Sequence, residues 1–347
     1  MSDLNSLAPD NRDLSMFPGE YGLPFLGKTV EFVKDTLAMC NKHYERYGPV
    51  SRLDMVKNQR VLMCLGPEFN EATLFDPKGN FSVAGGYASS LGGLYPDGML
   101  TRDDAKHKRT RRASQPAFKN DALKTYVDML IPIQERRIQD LPINEEFIFY
   151  DNIQKTLMDV AARVFIGLDE LSSEAKKLGH LFSEINEGLI TPLPYDLPFL
   201  QFRKSLKARE ELRQFFIENI PKRRGSNGLD MFTRYCNAKD EDGEYLDDID
   251  IDGHIAFLLF AAFDTTTSAL TNILYYLGKN PEWQEKVRNE IFSVTNEMPT
   301  FEDLAEMNLT EYVFQETLRF YPSVMVLNRR TTRDVNVAGY DIPANTV

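Results

Sequence analysis

The sequence predicts a mainly α protein with small β-sheets, an α+β fold, and three observations lead to this class. Beyond residue 80, most of the chain shows helical patterns of apolar residues. Strand-like patterns are confined to two short stretches, residues 49–65 and 329–347. The 347 residues, 42% of them hydrophobic and 11% aromatic, suffice for one large domain with a sizeable core.

Composition argues against several classes of function. The 52 acidic residues against 40 basic ones give a formal charge of −12, which disfavours nucleic acid as the partner. Cys40, Cys64 and Cys236 lie far apart and are interpreted as free thiols in a reducing compartment, and four scattered histidines predict no zinc site. The polar N-terminus has no signal peptide or membrane anchor, and no apolar run approaches the ~20 residues of a span. We therefore expect a soluble, cytoplasmic protein.

The first part of the chain, residues 17–80, is predicted to carry a β-hairpin. Residues 17–27 are punctuated by proline and glycine and lead into a helix over about 28–47. Residues 49–65 alternate, with a polar turn at Lys57–Gln59. We expect this part and the helix-rich part, residues 81–347, to form a single domain over 1–347.

Three segments of the helix-rich part are predicted to be loops. Residues 81–100 are glycine-rich and of the kind that carries function. Residues 190–200 form an apolar loop, interrupted by proline, between two helices. Residues 239–252 are the densest acidic run and are interpreted as a solvated loop, because no register supplies the Gly and Glu of an EF-hand and the DDxxD spacing fails at Ile251.

A long central helix is predicted over residues 253–277, with Asp252 as its N-cap and Gly278 at its end. Before Asp264 it is apolar on every face, which indicates a buried helix. A buried carboxylate must be paired, protonated or open to a water-filled cavity. The following threonines, 265–267, are able to return their hydroxyls to the backbone, and small residues 261–262 leave room beside the helix. The pattern fits a pocket wall that delivers protons, and equally a threonine-rich turn without that role.

Two charged clusters accompany this helix. Glu316 and Arg319 are neighbours on a helix predicted over 310–322. Most such pairs are surface salt bridges, and the surrounding apolar residues raise the chance of a buried, hydrogen-bonded pair as the alternative. His107 and Arg111 lie one turn apart in a basic segment that suits a carboxylate-bearing cofactor, or else forms an exposed basic face. Arg329 opens a final predicted hairpin.

The order of these motifs resembles that of the cytochrome P450 family of haem-thiolate monooxygenases, from about Phe17 to Val347. The resemblance rests on AAFDT at 261–265, ETLR at 316–319, HKRTRRASQPAF at 107–118, and Arg329. Each motif is common by chance, but the occurrence of all four in the order 107–118, 261–265, 316–319 and 329 along the chain is specific for the family.

The resemblance implies a haem cofactor and a role for each matching residue. Thr265 and Asp264 would be catalytic, managing proton delivery during dioxygen activation. Residues that would contact the cofactor are His107, Arg111 and Arg329, which would pair with the haem propionates, together with Ala261 and Ala262. Glu316 and Arg319 would be structural.

The family also implies a partner and a substrate class. Electrons would come from a ferredoxin or flavoprotein donor, and the loop at 190–200 would act as a lid. An apolar pocket indicates a lipophilic substrate, isoprenoid, retinoid-like or a fatty acid. The residues expected to line that pocket, besides the 81–100 loop, are Phe260, Phe263, Val324, Met325, Val326 and Leu327.

One family element is missing from the sequence. The haem-binding loop Phe-x-x-Gly-x-Arg-x-Cys-x-Gly is not found, and Cys40, Cys64 and Cys236 lie in other surroundings. No residue is therefore assigned as a metal ligand. We expect a chain truncated before that loop, binding haem weakly or not at all and inactive as given, because the thiolate drives O–O cleavage. The alternatives are a haem-less pseudoenzyme, a helical binding protein for lipophilic ligands and an isoprenoid cyclase. The failed DDxxD spacing counts against the cyclase.

Overall fold

Helices dominate the computed structural model, which describes residues 7, 9–10, 13–56 and 59–347. The mainly α class with small β-sheets is confirmed. The chain divides into two units. The first takes in the described residues up to 108 together with 183–210 and 325–347, and the second takes in 109–182 and 211–324. The prediction of a single domain stays a prediction.

The first unit contains all the strands of the described residues and four short helices. The strands are β1 (Gly19–Glu20), β2 (Val50–Met55), β3 (Gln59–Cys64), β4 (Phe81–Ser82), β5 (Arg330–Thr331), β6 (Val335–Val337) and β7 (Tyr340–Ile342). The helices are α1 (Thr29–Lys34), α2 (Thr36–Tyr47), α3 (Pro67–Phe75) and α4 (Val83–Leu91).

The second unit is helical. Its own helices are α6 (Asn120–Gln139), α7 (Phe149–Val160), α10 (Met231–Cys236), α11 (Asp248–Lys279), α12 (Pro281–Val294) and α13 (Asn308–Phe320). Three helices have residues in both units: α5 (Asp104–Ser114), α8 (Ser173–Ile190) and α9 (Gln201–Arg223).

Both predicted hairpins form. β2 and β3 pair antiparallel, and β1 adds parallel to β2. The predicted turn residues Lys57 and Asn58 lie outside the described residues. β6 and β7 pair around Ala338 and Gly339, whose φ angles of 51° and 86° give the left-handed backbone of a two-residue hairpin turn.

Two local predictions need correction. The helix over 28–47 is two helices, α1 and α2, because Asp35 leaves helical geometry and its carboxylate accepts the Ala38 amide at 2.8 Å as the cap of α2. The glycine-rich stretch 81–100 is not all loop, since α4 begins within it. Ser82 caps α4 by accepting the Gly85 amide at 2.7 Å. The loop between α8 and α9 is found as predicted, with Phe199 fully exposed.

The central helix α11 is longer than predicted, about 48 Å at 1.5 Å per residue. It begins at Asp248, so the acidic run ends inside a helix, where carboxylates at the positive end of the dipole are stabilising. Asp252 and Gly278 are interior residues. The helix packs against α7, α10 and α13. It is buried from Asp250 through Phe257 and half-exposed over most of 260–266, so the prediction of burial all round is wrong for its middle.

The length and composition of α11 meet the criteria for a membrane span, with a mean hydropathy of 1.3, and no other helix of the described residues does. Residues 250–257, near its start, are buried, whereas 22% of the 18-residue stretch that meets the criteria is buried. A core helix of a water-soluble fold meets the same criteria. The finding is therefore weak evidence for a span.

Candidate functional site

A cavity of about 370 Å³ lies in the second unit, between α11, α13 and the residues that follow α13. Its wall is almost entirely apolar, with hydroxyl groups supplied by two threonines and a serine. The lining residues are Thr265, Thr266, Ala269, Leu270, Phe314, Leu318, Pro322, Ser323 and Val324.

Helical spacing explains how this wall forms. Residues 265, 266, 269 and 270 fall on one face of α11, and Phe314 and Leu318 stand one turn apart on α13. Pro322 cannot continue α13, so the chain turns away and closes the cavity with 322–324. Of the residues predicted from the sequence, Thr265 and Val324 line this cavity.

The three consecutive threonines differ in their hydrogen bonds. The Thr265 hydroxyl donates to the Ala261 carbonyl at 2.7 Å and the Thr267 hydroxyl donates to the Phe263 carbonyl at 2.9 Å. These are the backbone returns predicted from the sequence. Helix α11 nevertheless remains continuous through them. Thr266 lines the cavity and, within the described part of the chain, its hydroxyl has no hydrogen-bond partner.

Asp264 is open to water yet crowded by protein. Its side chain is exposed, but burial of the carboxyl raises its pKa above the ordinary value of 3.8. Both statements hold for a group in a recess, which water reaches while protein atoms replace part of its hydration. No ion-pair or hydrogen-bond partner is found for it among residues 13–56 and 59–347.

The small and aromatic residues before Asp264 lie elsewhere on α11. Phe263 packs edge-on against Phe182 of α8, with ring centroids 5.4 Å apart. The ring centroids of Phe260 and Phe257 are 5.9 Å apart. Ala261, Ala262, Phe260 and Phe263 are not among the lining residues of the cavity, and their cofactor and substrate roles stay predictions.

Glu316 and Arg319 form the predicted pair on α13. Arg319 donates from Nε and Nη2 to the two carboxylate oxygens at 2.7 and 2.8 Å. This bond lowers the pKa of Glu316. The pair is the surface salt bridge of the two alternatives, because the side chains of Arg319 and Glu316 are 63% and 54% exposed. Arg319 lies over the ring of Phe320, 4.3 Å from its centroid. The structural role assigned to the pair stays a prediction.

The three arginines of the basic helix α5 differ in their ion-pair partners. Arg109 donates from Nε and Nη2 to Asp240, both at 2.7 Å, and Arg112 forms a close ion pair with Glu241. The acidic run was interpreted as a solvated loop, but these two carboxylates bind α5. Arg111, also exposed, has no ion-pair or hydrogen-bond partner in the described ranges. Its guanidinium is therefore the one of these three that is able to bind an anion without breaking an existing pair.

The first unit holds the other predicted cofactor and pocket residues. His107 is half-buried on α5 and Arg329 is half-buried before β5, where its Nη1 donates to the Asn328 carbonyl at 2.9 Å. The remaining predicted pocket residues are exposed: Met325, Val326 and Leu327.

Sequence reasoning missed the packing role of Gly86 in α4. A Cβ at Gly86 would lie 2.6 Å from the Arg329 nitrogen, so only glycine permits α4 to contact this backbone. Two adjacent glycines in a segment of helical propensity were the available signal.

The described residues contain no group of three or more His, Cys, Asp or Glu side chains able to hold a metal ion. Burial raises the pKa of the Cys64 and Cys236 thiols to about 12 and raises that of Cys40. All three are therefore neutral thiols at physiological pH. None lines the cavity.

Comparisons with known proteins agree on one family. The family model "Cytochrome P450" matches residues 17–347. "Putative cytochrome P450 136" of Mycobacterium tuberculosis is 29% identical over 97% of this chain and 69% of its own length. "Taxoid 14-beta-hydroxylase" of Taxus cuspidata is 27% identical over 94% of this chain and 67% of its own length.

Among solved structures, the chain is similar to "Retinoic acid bound cyanobacterial CYP120A1". The TM-score is 0.84 at 28% sequence identity, covering 94% of this chain and 74% of that one.

Proposed function

The chain belongs to the cytochrome P450 family, and from that premise we propose that it contributes to a haem-dependent monooxygenase acting on a lipophilic small molecule. One observation carries the proposal: Thr265 lines an apolar cavity, and the adjacent Asp264 is open to water with a raised pKa. A carboxyl that keeps its proton longer than usual, beside a hydroxyl on a cavity wall, suits a proton relay from solvent.

Haem would be held by both charged and apolar groups of this chain. Arg111, Arg329 and His107 would pair with its propionates, and Arg111 is able to do so without giving up an existing ion pair. Ala261 and Ala262 would lie against the cofactor. The apolar wall of the cavity suits a flat apolar ring, and the Arg111 guanidinium suits a carboxylate. When bound, haem supplies the redox chemistry with dioxygen.

The axial ligand is where this chain does not fit the family. A thiolate favours O–O cleavage, whereas the three cysteines are neutral thiols and none of them lines the cavity. We therefore propose that these 347 residues bind haem weakly, without thiolate coordination, and do not complete the reaction unaided.

The residues of the chain would have separate tasks in the reaction. Asp264 would take a proton from water and pass it to the Thr265 hydroxyl, which lies on the cavity wall and would release its own proton into the cavity in the same step. For this transfer the Thr265 hydroxyl would leave its bond to the Ala261 carbonyl. The apolar wall, with Phe314 and Leu318, would exclude bulk water and favour a lipophilic substrate.

The names of two similar proteins support a proposal for the substrate class. One relative is named as a taxoid hydroxylase, and the similar solved structure contains retinoic acid. We take an isoprenoid or retinoid-like molecule as the proposed substrate, with a ferredoxin or flavoprotein as electron donor and the cytoplasm as location. The loop between α8 and α9 is the proposed lid.

Titration of the chain with haemin, followed by reduction under carbon monoxide, tests the proposal. We expect a perturbed Soret band, at least tenfold weaker binding in Arg111→Ala with Arg329→Ala, and no thiolate-type band. Arg112→Ala is the matched control, because Arg112 already pairs with Glu241. A thiolate-type band, or equal haemin affinity in all variants, would contradict the proposal.

A second function is favoured by the neutral cysteines: binding a lipophilic ligand without chemistry. Retinoic acid affinity, measured by fluorescence quenching in the presence and absence of haemin, separates the two functions. If binding occurs without haemin and Thr265→Ala leaves it intact, a binding protein is supported.

A further inference from the structure

A long-range hydrogen bond joins the segment after α13 to the middle of α11. The Ser323 hydroxyl donates to the backbone carbonyl of Thr265 at 2.9 Å, across 58 positions of sequence. Both residues line the same cavity. The bond therefore connects two walls of the proposed site at the residue that carries its catalytic hydroxyl.

This bond acts on a carbonyl that already has a place in the helix. In a continuous α-helix, the carbonyl of Thr265 accepts the amide of Ala269. Ser323 adds a second donor to the same oxygen, while the Thr265 hydroxyl is held by the Ala261 carbonyl at 2.7 Å. Both polar groups of Thr265 outside its amide are thus restrained, one from within the helix and one from outside it.

The segment that carries Ser323 is well placed to provide such a restraint. It begins at Tyr321, directly after α13, where Pro322 prevents the helix from continuing, and it has no regular secondary structure. Its start is fixed by aromatic packing, because the ring of Tyr276 on α11 lies 5.6 Å from Phe320 and 5.9 Å from Tyr321. Two residues later, the Ser323 hydroxyl attaches the segment to α11 at the cavity.

We infer that Ser323 is a positioning residue: its hydroxyl holds the α11 backbone at Thr265 and so sets the direction in which the Thr265 hydroxyl meets the cavity. This inference rests on the proposed function. Without the bond, the Thr265 carbonyl and its helical turn would be free to tilt, and the hydroxyl would face the reacting atoms for a smaller fraction of the time.

Hydrogen exchange of the chain without added haem tests the restraint itself. In Ser323→Ala we expect the amides of residues 265–271 to exchange about fivefold faster, the factor given by losing one ordinary hydrogen bond. Ser323→Thr keeps a hydroxyl at this position and should restore the slow exchange. Ser293→Ala is the matched control, because the Ser293 hydroxyl also donates to a backbone carbonyl, that of Glu290 at 2.7 Å, away from the cavity.

The outcomes separate the inference from the proposed function. Faster exchange confined to 265–271, rescued by Ser323→Thr and not seen in Ser293→Ala, supports the positioning role. Unchanged exchange in Ser323→Ala, or a change spread across the second unit, overturns it. Haemin titration of the unsubstituted chain is read separately: failure to bind haemin contradicts the proposed function and leaves the exchange result valid.

Discussion

Substituting Gly86 by alanine should reveal how closely α4 packs on the backbone that carries Arg329. The new Cβ would lie 2.6 Å from both the Arg329 nitrogen and the Asn328 carbonyl carbon. No Cβ tolerates that distance, and backbone is unable to move aside as a flexible side chain does. Helix propensity alone would favour alanine by about 0.5–1 kcal/mol. Overpacking costs about 1–3 kcal/mol, so the net loss of unfolding free energy falls between about 0 and 2.5 kcal/mol, and we expect about 1 kcal/mol.

The assay is urea unfolding followed by far-UV circular dichroism, with Gly278→Ala as the matched control. Gly278 is also helical, in α11, but a Cβ there meets nothing within 4 Å. Gly278→Ala should therefore gain about 0.5–1 kcal/mol. The two glycine-to-alanine changes are expected to shift the midpoint in opposite directions. If Gly86→Ala is as stable as Gly278→Ala, the close contact with residues 328–329 is refuted.

Three further predictions follow from single groups. Because burial raises the pKa of Asp264 above 3.8, the folded state binds the Asp264 proton more tightly than the unfolded state does. This contribution to stability is lost as the pH rises through the folded pKa. In urea titrations, Asp264→Asn should therefore be more stable than the native chain at pH 7 and equal to it well below pH 4. Glu290 accepts the Leu309 and Thr310 amides at 2.6 and 2.9 Å, so Glu290→Ala should cost about 0.5–2 kcal/mol by the same assay, and a neutral result would contradict its role as the cap of α13. The Cys236 thiol, with a pKa of about 12, should resist alkylation at pH 8 while partly exposed Cys40 reacts first by mass spectrometry; rapid labelling of Cys236 would disprove its burial.

Much of the fold and part of the candidate site could be predicted from local sequence patterns. Both hairpins were predictable because their turn residues and alternation lie within a few positions. The Glu316–Arg319 pair was predictable because helical spacing alone brings the two side chains together. The place of Thr265 on a cavity wall was one of two interpretations that the helix sequence left open, the other being a threonine-rich turn.

The rest depended on contacts distant in sequence. The acidic residues at 248–252 resemble a loop locally, and their place in a helix follows from the helix dipole and from packing of α11 on other helices. Gly86 is required by backbone some 240 positions away, and Ser323 meets α11 across 58 positions. No periodicity signals such contacts. Exposure of Asp264 was equally invisible, because hydropathy does not show where a cavity opens.

The most direct test of the account is whether haem occupies the cavity beside Thr265. Thr266→Phe would place an aromatic ring in this space of about 370 Å³, and Leu274→Phe puts the same ring on an exposed part of α11 that does not line the cavity. Haemin affinity, measured by Soret titration, should fall at least tenfold in Thr266→Phe and remain unchanged in Leu274→Phe. Equal affinity in the two variants would contradict the account.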